Sequence, residues 1–391
     1  MRRVLNFKVV TEESINLSVV TQNSFSIKIR TVNASPYTID FGDGTVESYP
    51  SGVQSNTHTY GSSYTGDITI TVDKLQYITE FISFNNSFNF NLIELTVLTG
   101  LTYYNNTGSN TTSGDIANLP SGLTFYYNSG NNTTSGDIAN LPSGLTFYNN
   151  TGSNTTSGDI ANLPSGLTYY YNAGNNTTSG DIANLPSGLT FYYNSGSNTT
   201  SGDIANLPSG LTQYFNLGSN TTSGDIANLP SGLTQYFNLG SNTTSGDIAN
   251  LPSGLTYYNN TGNNTTSGDI ANLPSGLTYY NNTGSNTTSG DIANLPSGLT
   301  YYINEGNNEV GVYTQGRNWG VELNIFKNTP SASIYKLSSN EVDSILIDMA
   351  STITTSVGNK LIELRPHNPR TSLSNIAVSY LQSIGFTVNT I

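Results

Sequence analysis

The word Ser-Gly-Asp-Ile-Ala-Asn-Leu-Pro-Ser-Gly-Leu occurs nine times between Ser113 and Leu299, with its aspartates at Asp115, Asp137, Asp159, Asp181, Asp203, Asp225, Asp247, Asp269 and Asp291. Every step is 22 residues. A period of this length without slippage implies one coil of chain per copy, because an inserted residue would throw the next copy's side chains out of stack. The middle of the chain is therefore expected to be a solenoid that presents a long surface rather than a reaction centre.

Composition points the same way. Of 391 residues only 35% are hydrophobic and 9% charged, which is lean for a packed enzyme core. The net charge is −13, and Leu101 to Thr300 holds no Lys or Arg while nine aspartates accumulate. Such a surface repels phosphate backbones and anionic lipid, so neither nucleic acid nor membrane insertion is expected. Cysteine is absent, and His58 and His367 are far apart in sequence, so neither a metal nor a cofactor is expected. The opening Met1-Arg2-Arg3-Val4-Leu5-Asn6-Phe7-Lys8 is basic but lacks an apolar h-region, and no run of 18 apolar residues occurs. A surface protein of this kind without an export signal is expected to be synthesised in a host cytoplasm and released by lysis, as a virion component.

The fold class expected is mainly β: an N-terminal β-sandwich over 1–75, a capping coil over 76–100, a parallel β-solenoid of about ten coils over 101–310 and a small α/β cap over 311–391. In the first segment, Phe25-Ser26-Ile27-Lys28-Ile29 and Ile68-Thr69-Ile70-Thr71-Val72 alternate apolar and polar residues as half-buried strands do. The stretch Tyr37-Thr38-Ile39-Asp40-Phe41-Gly42-Asp43-Gly44-Thr45, with Thr57-His58-Thr59-Tyr60 and Gly66-Asp67-Ile68-Thr69-Ile70, resembles the polycystic-kidney-disease-type immunoglobulin-like fold over about Ser24 to Lys74. That resemblance implies a binding or spacer module. Asp40, Asp43 and Glu47 suit either a calcium site or turn-stabilising hydrogen bonds, of which the second is preferred.

Counted from the leucines Leu101, Leu123, Leu145 and so on to Leu299, the third following place is always Tyr, the fifth Asn and the seventh Gly. The second, fourth and sixth places vary. Variation at alternate positions marks a strand with one packed and one free face. This segment resembles the leucine-rich repeat, and its Gly-Asp-Ile-Ala is similar to the Gly-x-Ile-Pro of the plant-type variety, although Tyr and Asn stand where inward leucines belong. Phe215 and Leu217 fit the opposite facing, but a place that varies from Thr to Glu is not a core place. Each coil is expected to bury Leu, Tyr, Ile and Leu, as in Leu167, Tyr170, Ile182 and Leu185, with the Asn side chains bonding along the stack.

The repeat aspartates are expected to cap turns rather than bind calcium. The triplet Asn110-Thr111-Thr112 and its copies match a glycosylation sequon but are taken as loop hydrogen bonding. The outward stripe comprises Phe125, Tyr127, Tyr169, Tyr171, Phe191, Tyr193, Phe215, Leu217, Phe237, Leu239, Tyr257 and Tyr279, the candidate binding residues. Aromatics beside amides suit sugar rings or a protein partner, because a ring face stacks while its rim hydrogen-bonds. Cross-strand packing alone would also maintain such a stripe. No catalytic residue is assigned: glycan cleavage needs two carboxylates in unlike settings, and only Glu305 and Glu309 break the symmetry of the acids near the coils. An ice-binding threonine array, Thr111-Thr112 and its copies, is a remote alternative.

Beyond Thr300 the rhythm breaks. A capped amphipathic helix is expected over Leu337 to Ala350, a strand over Leu361 to Leu364, a helix from about Ser372 to Ile384 and a last strand over Phe386 to Asn389. At the other end, Ile78 and Phe81 imitate Leu and Tyr. This tail resembles the ends of repeat-bearing virion proteins of phages infecting Bacteroidetes. The function expected is a fibre or tail-associated protein of the virion that contacts a host surface glycan or protein receptor, with other virion proteins and a second copy as further partners. A bacterial cell-surface adhesin of the leucine-rich-repeat type is the alternative, and a glycan-cleaving tailspike a weaker one.

Overall fold

The computed structural model describes residues 12–86, 88–108, 111–320, 323–330, 336–354, 360–366 and 368–390. Asn110, His367 and the opening Met1–Lys8 lie outside them. The chain is a mainly-β solenoid that divides into two compact units, 1–178 and 179–391.

The first unit starts with β1 (Glu13–Thr31), β2 (Tyr37–Asp40), β3 (Val46–Tyr49) and β4 (Gly52–Val72). β1 and β4 pair antiparallel over nearly their whole length, Ile15 opposite Ile70 and Ile27 opposite Asn56, with register shifts between Val19 and Ser24. Alternation buries Phe25, Ile27 and Ile29 together with Ile39, Phe41, Ile68 and Ile70, while the residues between them face outward. The turn between β2 and β3 depends on Gly42 and Gly44, at φ +79° and +94°. Asp40 Oδ1 accepts from Gly42 N at 2.9 Å and Asp43 Oδ1 from Thr45 N at 3.0 Å, so these acids hold the turn.

The change from antiparallel to parallel pairing occurs at β5 (Ile78–Asn86), which is followed by β6 (Phe88–Asn91). One side of β5 pairs antiparallel with β1, Ile29 opposite Phe81, and the other pairs parallel with β7 (Tyr103–Gly108), Phe81 opposite Tyr104. The Phe81 ring lies 6.0 Å from that of Tyr104, and Ile78 and Phe81 are both buried. β6 continues into β8 (Thr111–Asp115) in the same parallel sense. Then come β9 (Phe125–Asp137), β10 (Phe147–Asp159) and β11 (Tyr169–Asp181), within which the second unit begins.

One coil shows how the repeat folds. From Phe125 to Asn128 the strand pairs with its counterpart 22 residues on, Tyr126 opposite Tyr148; after Gly130, at φ +132°, pairing resumes 20 residues on, Ser135 opposite Thr155. Asp137 then caps a short 3-10 turn over Ile138–Asn140 by accepting from Ala139 N at 2.9 Å. The Leu-Pro-Ser-Gly-Leu return closes with Leu145 N donating to Pro142 O at 3.0 Å. Leu123, Tyr126 and Ile138 are fully buried and Leu141 almost so. Burying each such side chain contributes about 1.5–3 kcal/mol, and the contacts come from the coils on either side. Tyr104, Tyr126, Tyr148 and Tyr170 stack at 5.5–5.6 Å between ring centroids, an inner column of the first unit.

The buried polar residues form a network richer than an asparagine ladder. Asn106 Nδ2 reaches Asn128 Oδ1 at 3.1 Å, but Asn150 Nδ2 donates to Thr134 Oγ1 of the preceding coil at 2.9 Å and to Tyr148 Oη at 3.1 Å. Thr134 Oγ1 in turn donates to Asn154 Oδ1 at 2.8 Å. Thr112, Thr134 and Thr156 are fully buried, and so are Asn132 and Asn154. The threonine pairs are therefore not a flat outward array of the ice-binding kind, and the sequon asparagines Asn132 and Asn154 do serve in hydrogen bonding, as expected, but in the interior rather than in a loop.

The second unit repeats the coil through β12 (Phe191–Gly196), β13 (Thr199–Asp203), β14 (Gln213–Asp225), β15 (Gln235–Asp247), β16 (Tyr257–Asp269), β17 (Tyr279–Gly284), β18 (Thr287–Asp291), β19 (Tyr301–Gly306) and β20 (Glu309–Val312). The ladder continues into β21 (Ile325–Pro330), then, across helix α1 (Ser339–Thr352), into β22 (Lys360–Leu364) and, across α2 (Asn375–Ser383), into β23 (Phe386–Thr390), all parallel. A 3-10 turn over Ser372–Ser374, rather than α-helix, leads into α2. The Tyr302 ring stacks on Phe326 at 5.1 Å, and Trp319 meets Phe326 edge-on at 4.9 Å. Arg317, packed 4.8 Å over the Trp319 ring, donates to the carbonyls of Leu295 and Pro296, satisfying acceptors at the return of the last regular coil.

α1 has a reciprocal cap: Ser338 Oγ accepts from Glu341 N at 3.3 Å and Glu341 Oε2 accepts from Ser338 N at 2.8 Å. Asp343 inside that helix is buried. Burial works to raise its pKa, but hydrogen bonds from Ser374 and from the side chain and backbone of Thr371 outweigh this and hold the carboxyl below its ordinary value. No helix among the described residues is long and apolar enough to cross a membrane.

Candidate functional site

Strand alternation turns the second, fourth and sixth places of each coil away from the core, and all twelve expected stripe residues are half-buried on that face. The parallel register sets like positions directly over one another.

In the first unit the second-place rings form a tight column. Tyr103 and Phe125 lie 4.2 Å apart between centroids, Phe125 and Phe147 4.3 Å, and Phe147 and Tyr169 4.3 Å, with interplanar angles of 6°, 13° and 8°. Tyr127, in the fourth place, joins from the side at 6.4 Å from Phe147. Tyr171 occupies the same place in its own coil.

In the second unit the outward rings follow a less regular path. Phe191 and Tyr193 meet Phe215 at 6.1 and 5.7 Å with tilts of 37° and 40°. Phe215 passes to Phe237 at 5.5 Å, and Phe237 to Tyr257 at 4.8 Å, back in the second place. Tyr257, Tyr279 and Tyr301 then continue at 3.9 and 4.0 Å. The detour has a visible cause: Gln213 and Gln235 fill the second place in two adjacent coils, so the ring moves to the fourth place and Leu217 and Leu239 flank it in the sixth.

Two points differ from the sequence expectation. Most of these ring faces are pressed against other rings, so the surface presents ring edges, hydroxyls and neighbouring amides rather than open faces. The outward rings also include Tyr103 and Phe147 in the first unit and Tyr301 in the second, which were not among the expected residues, although they hold the same second place as Phe125 and Tyr279. The fourth and sixth places vary together: Asn goes with Thr, Tyr with Ser or Ala, and Phe with Leu. Only Tyr301, with Ile303 and Glu305, stands outside this rule.

Burial raises the hydroxyls of Tyr169, Tyr257 and Tyr301 and pushes Tyr279 up to about 12, so these four remain neutral donors at physiological pH. At its end in the second unit, Lys327 Nζ lies 2.6 Å from Glu305 Oε1 and 3.5 Å from Glu363 Oε2. Glu309 lies on β20, a different strand. The nine repeat aspartates all accept from the alanine N two residues ahead, for example Asp203 from Ala205 at 2.9 Å and Asp291 from Ala293 at 2.8 Å. No group of three or more His, Cys, Asp or Glu suited to a metal ion occurs among the described residues.

No family model and no curated protein matches the chain. Among solved structures it is similar to a plant peptide hormone receptor, RGFR1 in complex with RGF2, at 18% identity and a TM-score of 0.44, over 81% of this chain and 64% of that one. It is also similar to the PEPR1–AtPEP1 complex, at 18% identity and a TM-score of 0.49, over 74% of this chain and 50% of that one. The chain thus spans between half and two thirds of the length of these two structures.

Proposed function

We propose that the chain is a non-catalytic adhesion protein whose strand face binds an extended glycan or polypeptide on a host surface. The observation that carries this reading is the in-register run of half-buried rings within each unit, bordered by Asn and Gln. Such a face offers apolar edges at each coil with hydrogen-bonding groups beside them, and its repetition favours a ligand that itself repeats or extends. The Phe215, Leu217, Phe237 and Leu239 patch, with Gln213 and Gln235 alongside, is its most apolar part.

The non-catalytic reading is supported by the equivalent settings of the nine repeat aspartates and by the pairing of Glu305 with Lys327, since glycan cleavage needs two carboxylates in contrasting settings. The finer assignments go with it. The N-terminal strands serve as a polycystic-kidney-disease-type immunoglobulin-like spacer, supported by His58 stacking 4.3 Å from Phe41 and bonding Asp43 at 2.8 Å. The C-terminal α/β segment serves as a cap, supported by the Arg317 bonds. The location is a virion, with the tail resemblance as its support.

Two measurements test this. A glycan and receptor array probed with the purified chain and with a Phe215→Ser, Phe237→Ser double variant should show binding by the first and at least a tenfold loss by the second. Equal binding by both, with thermal midpoints alike, removes the face as the contact surface. Mass spectrometry of purified particles should find the chain; its recovery in a bacterial envelope fraction instead would favour the cell-surface adhesin.

A further inference from the structure

In the first unit, a polar cavity of about 460 Å³ lies where the turn between β1 and β2 meets the end of β4. Val32 to Ser35 form that turn, with Val32 N donating to Tyr77 O at 3.0 Å and Ser35 N to Val32 O at 3.2 Å. Its two central residues, Asn33 and Ala34, sit at φ +59° and +51°. Asparagine tolerates this left-handed region, but the Cβ of an alanine is crowded there, and glycine is the usual occupant. Such strain persists only where the surroundings impose it, and it concentrates at ligand sites. The turn sets Ser35 in the lining of the cavity. Ser35 is 3% exposed, its N is bonded to Val32 and its O accepts from Thr31 Oγ1 at 2.6 Å, yet its Oγ is buried without a partner. Asp73, the residue after β4, also lines the cavity, and its Oδ1 is likewise buried and unpartnered. Lys74 beside it is committed elsewhere, its ammonium 2.9 Å from Glu13 Oε1.

We propose that this cavity binds a small polyhydroxylated ammonium ion, the chemistry of an amino sugar with a free amine. An orphaned hydroxyl and an orphaned carboxylate oxygen, both out of water, each carry a desolvation penalty that a ligand's hydrogen bonds relieve. A carboxylate oxygen accepts only, so the group that meets Asp73 must be a donor. Charge narrows the choice: among the described residues the lining holds two carboxylates, Glu12 and Asp73, and no Lys, Arg or His. Asn33, Thr38 and Thr71 add amide and hydroxyl groups of the kind that sugar hydroxyls need, and Pro36 and Val72 add apolar contact for ring carbons. The volume falls in the range of small-molecule sites and is far more than a bare metal ion requires. The site is independent of the strand face of the coils and of the ligand proposed for it.

Isothermal titration calorimetry of the full chain with glucosamine tests this, with glucose and N-acetylglucosamine as uncharged controls. Glucosamine should bind about tenfold more tightly than either, the contribution of a charge-assisted hydrogen bond. Asp73→Asn, which keeps the shape and removes the charge, should weaken glucosamine binding by about tenfold. Ser35→Ala, which leaves every charge in place, should give an independent loss, and both variants should keep the circular dichroism of the wild type. Asp247→Asn removes the same charge from a repeat turn in the second unit, which asparagine can still cap, and should bind as the wild type does. A wild type that shows no binding at about 10 mM glucosamine, beyond the range of a specific site, overturns the proposal. Binding untouched by both Asp73→Asn and Ser35→Ala overturns it by placing the contact elsewhere. Equal losses in Asp73→Asn and Asp247→Asn overturn it by reducing the effect to the net charge of −13. Calcium chloride that binds in the cavity and excludes glucosamine overturns it by giving the carboxylates to a metal ion.

Discussion

Thr134 Oγ1 donates to Oδ1 of Asn154, 20 residues ahead, at 2.8 Å, while accepting from Nδ2 of Asn150 at 2.9 Å. One hydroxyl thus joins two asparagines of the next coil, and all three side chains are fully buried. Replacing it by the near-isosteric valine leaves Asn150 Nδ2 with Tyr148 Oη as its remaining acceptor and removes a donor from Asn154 Oδ1. Thr134→Val is expected to cost about 1–3 kcal/mol, the penalty for disrupting a buried polar network. Its exposed neighbour provides the control: Thr133→Val should change stability by less than about 0.5 kcal/mol. Urea titrations that find the two variants equally stable would show that the network contributes nothing.

Gly158 explains why Gly precedes Asp in the repeat. Its φ is +113°, and a Cβ there would lie 2.1 Å from Oδ1 of Asp137, the cap of the preceding coil. Gly158→Ala is expected to lose about 2–4 kcal/mol, from backbone strain and a displaced cap together. In an Asp137→Ala background the contact with the carboxylate is gone, leaving the strain and a tighter-than-usual 3.1 Å approach to Ile138 Cγ1, so the same substitution should cost less. A double-mutant cycle with no coupling between the two positions would contradict this account.

The inner tyrosines predict alkaline sensitivity. Burial holds the hydroxyls of Tyr126, Tyr214, Tyr236 and Tyr280 well above the ordinary tyrosine value near 10, which they regain on unfolding. A raised folded pKa gives stability that is complete below the unfolded value and lost as pH climbs from there toward the folded one. Above about pH 10 each such tyrosine should therefore remove about 1 kcal/mol per pH unit. Thermal midpoints followed from pH 8 to 11.5 should hold level and then fall steeply. Ultraviolet titration of the folded chain should leave the inner tyrosines protonated where exposed ones ionise. A single transition for all 26 tyrosines near pH 10 without unfolding would refute the buried column.

Much of the coil was legible because the period fixes the register and the register fixes the stack. The burial of Leu123, Tyr126, Ile138 and Leu141 follows from the invariant places, and the cap role of the aspartates from their position beside Gly. The interior threonines were not legible. Thr-Thr between Asn and Ser looks like surface by composition, and Thr134 is inside only because Asn150 and Asn154 satisfy it. The seam between β1 and β5 was hidden for another reason: Ile29 meets Phe81 across a long stretch of sequence, and no local pattern marks a strand that is antiparallel on one side and parallel on the other. On the outer face, period and alternation located the stripe. Whether a ring offers its face or spends it on the next ring depends on tilt and spacing, which residue identity does not encode.

The seat that each glycine makes for the aspartate before it has an evolutionary corollary. Since every junction of this kind uses the same two residue types, a duplication or deletion of 66 nucleotides, three per residue, regenerates the junction wherever the break falls, and the product needs no compensating change. Coil number can therefore change by simple recombination, altering the length of the strand face while the buried junctions stay the same.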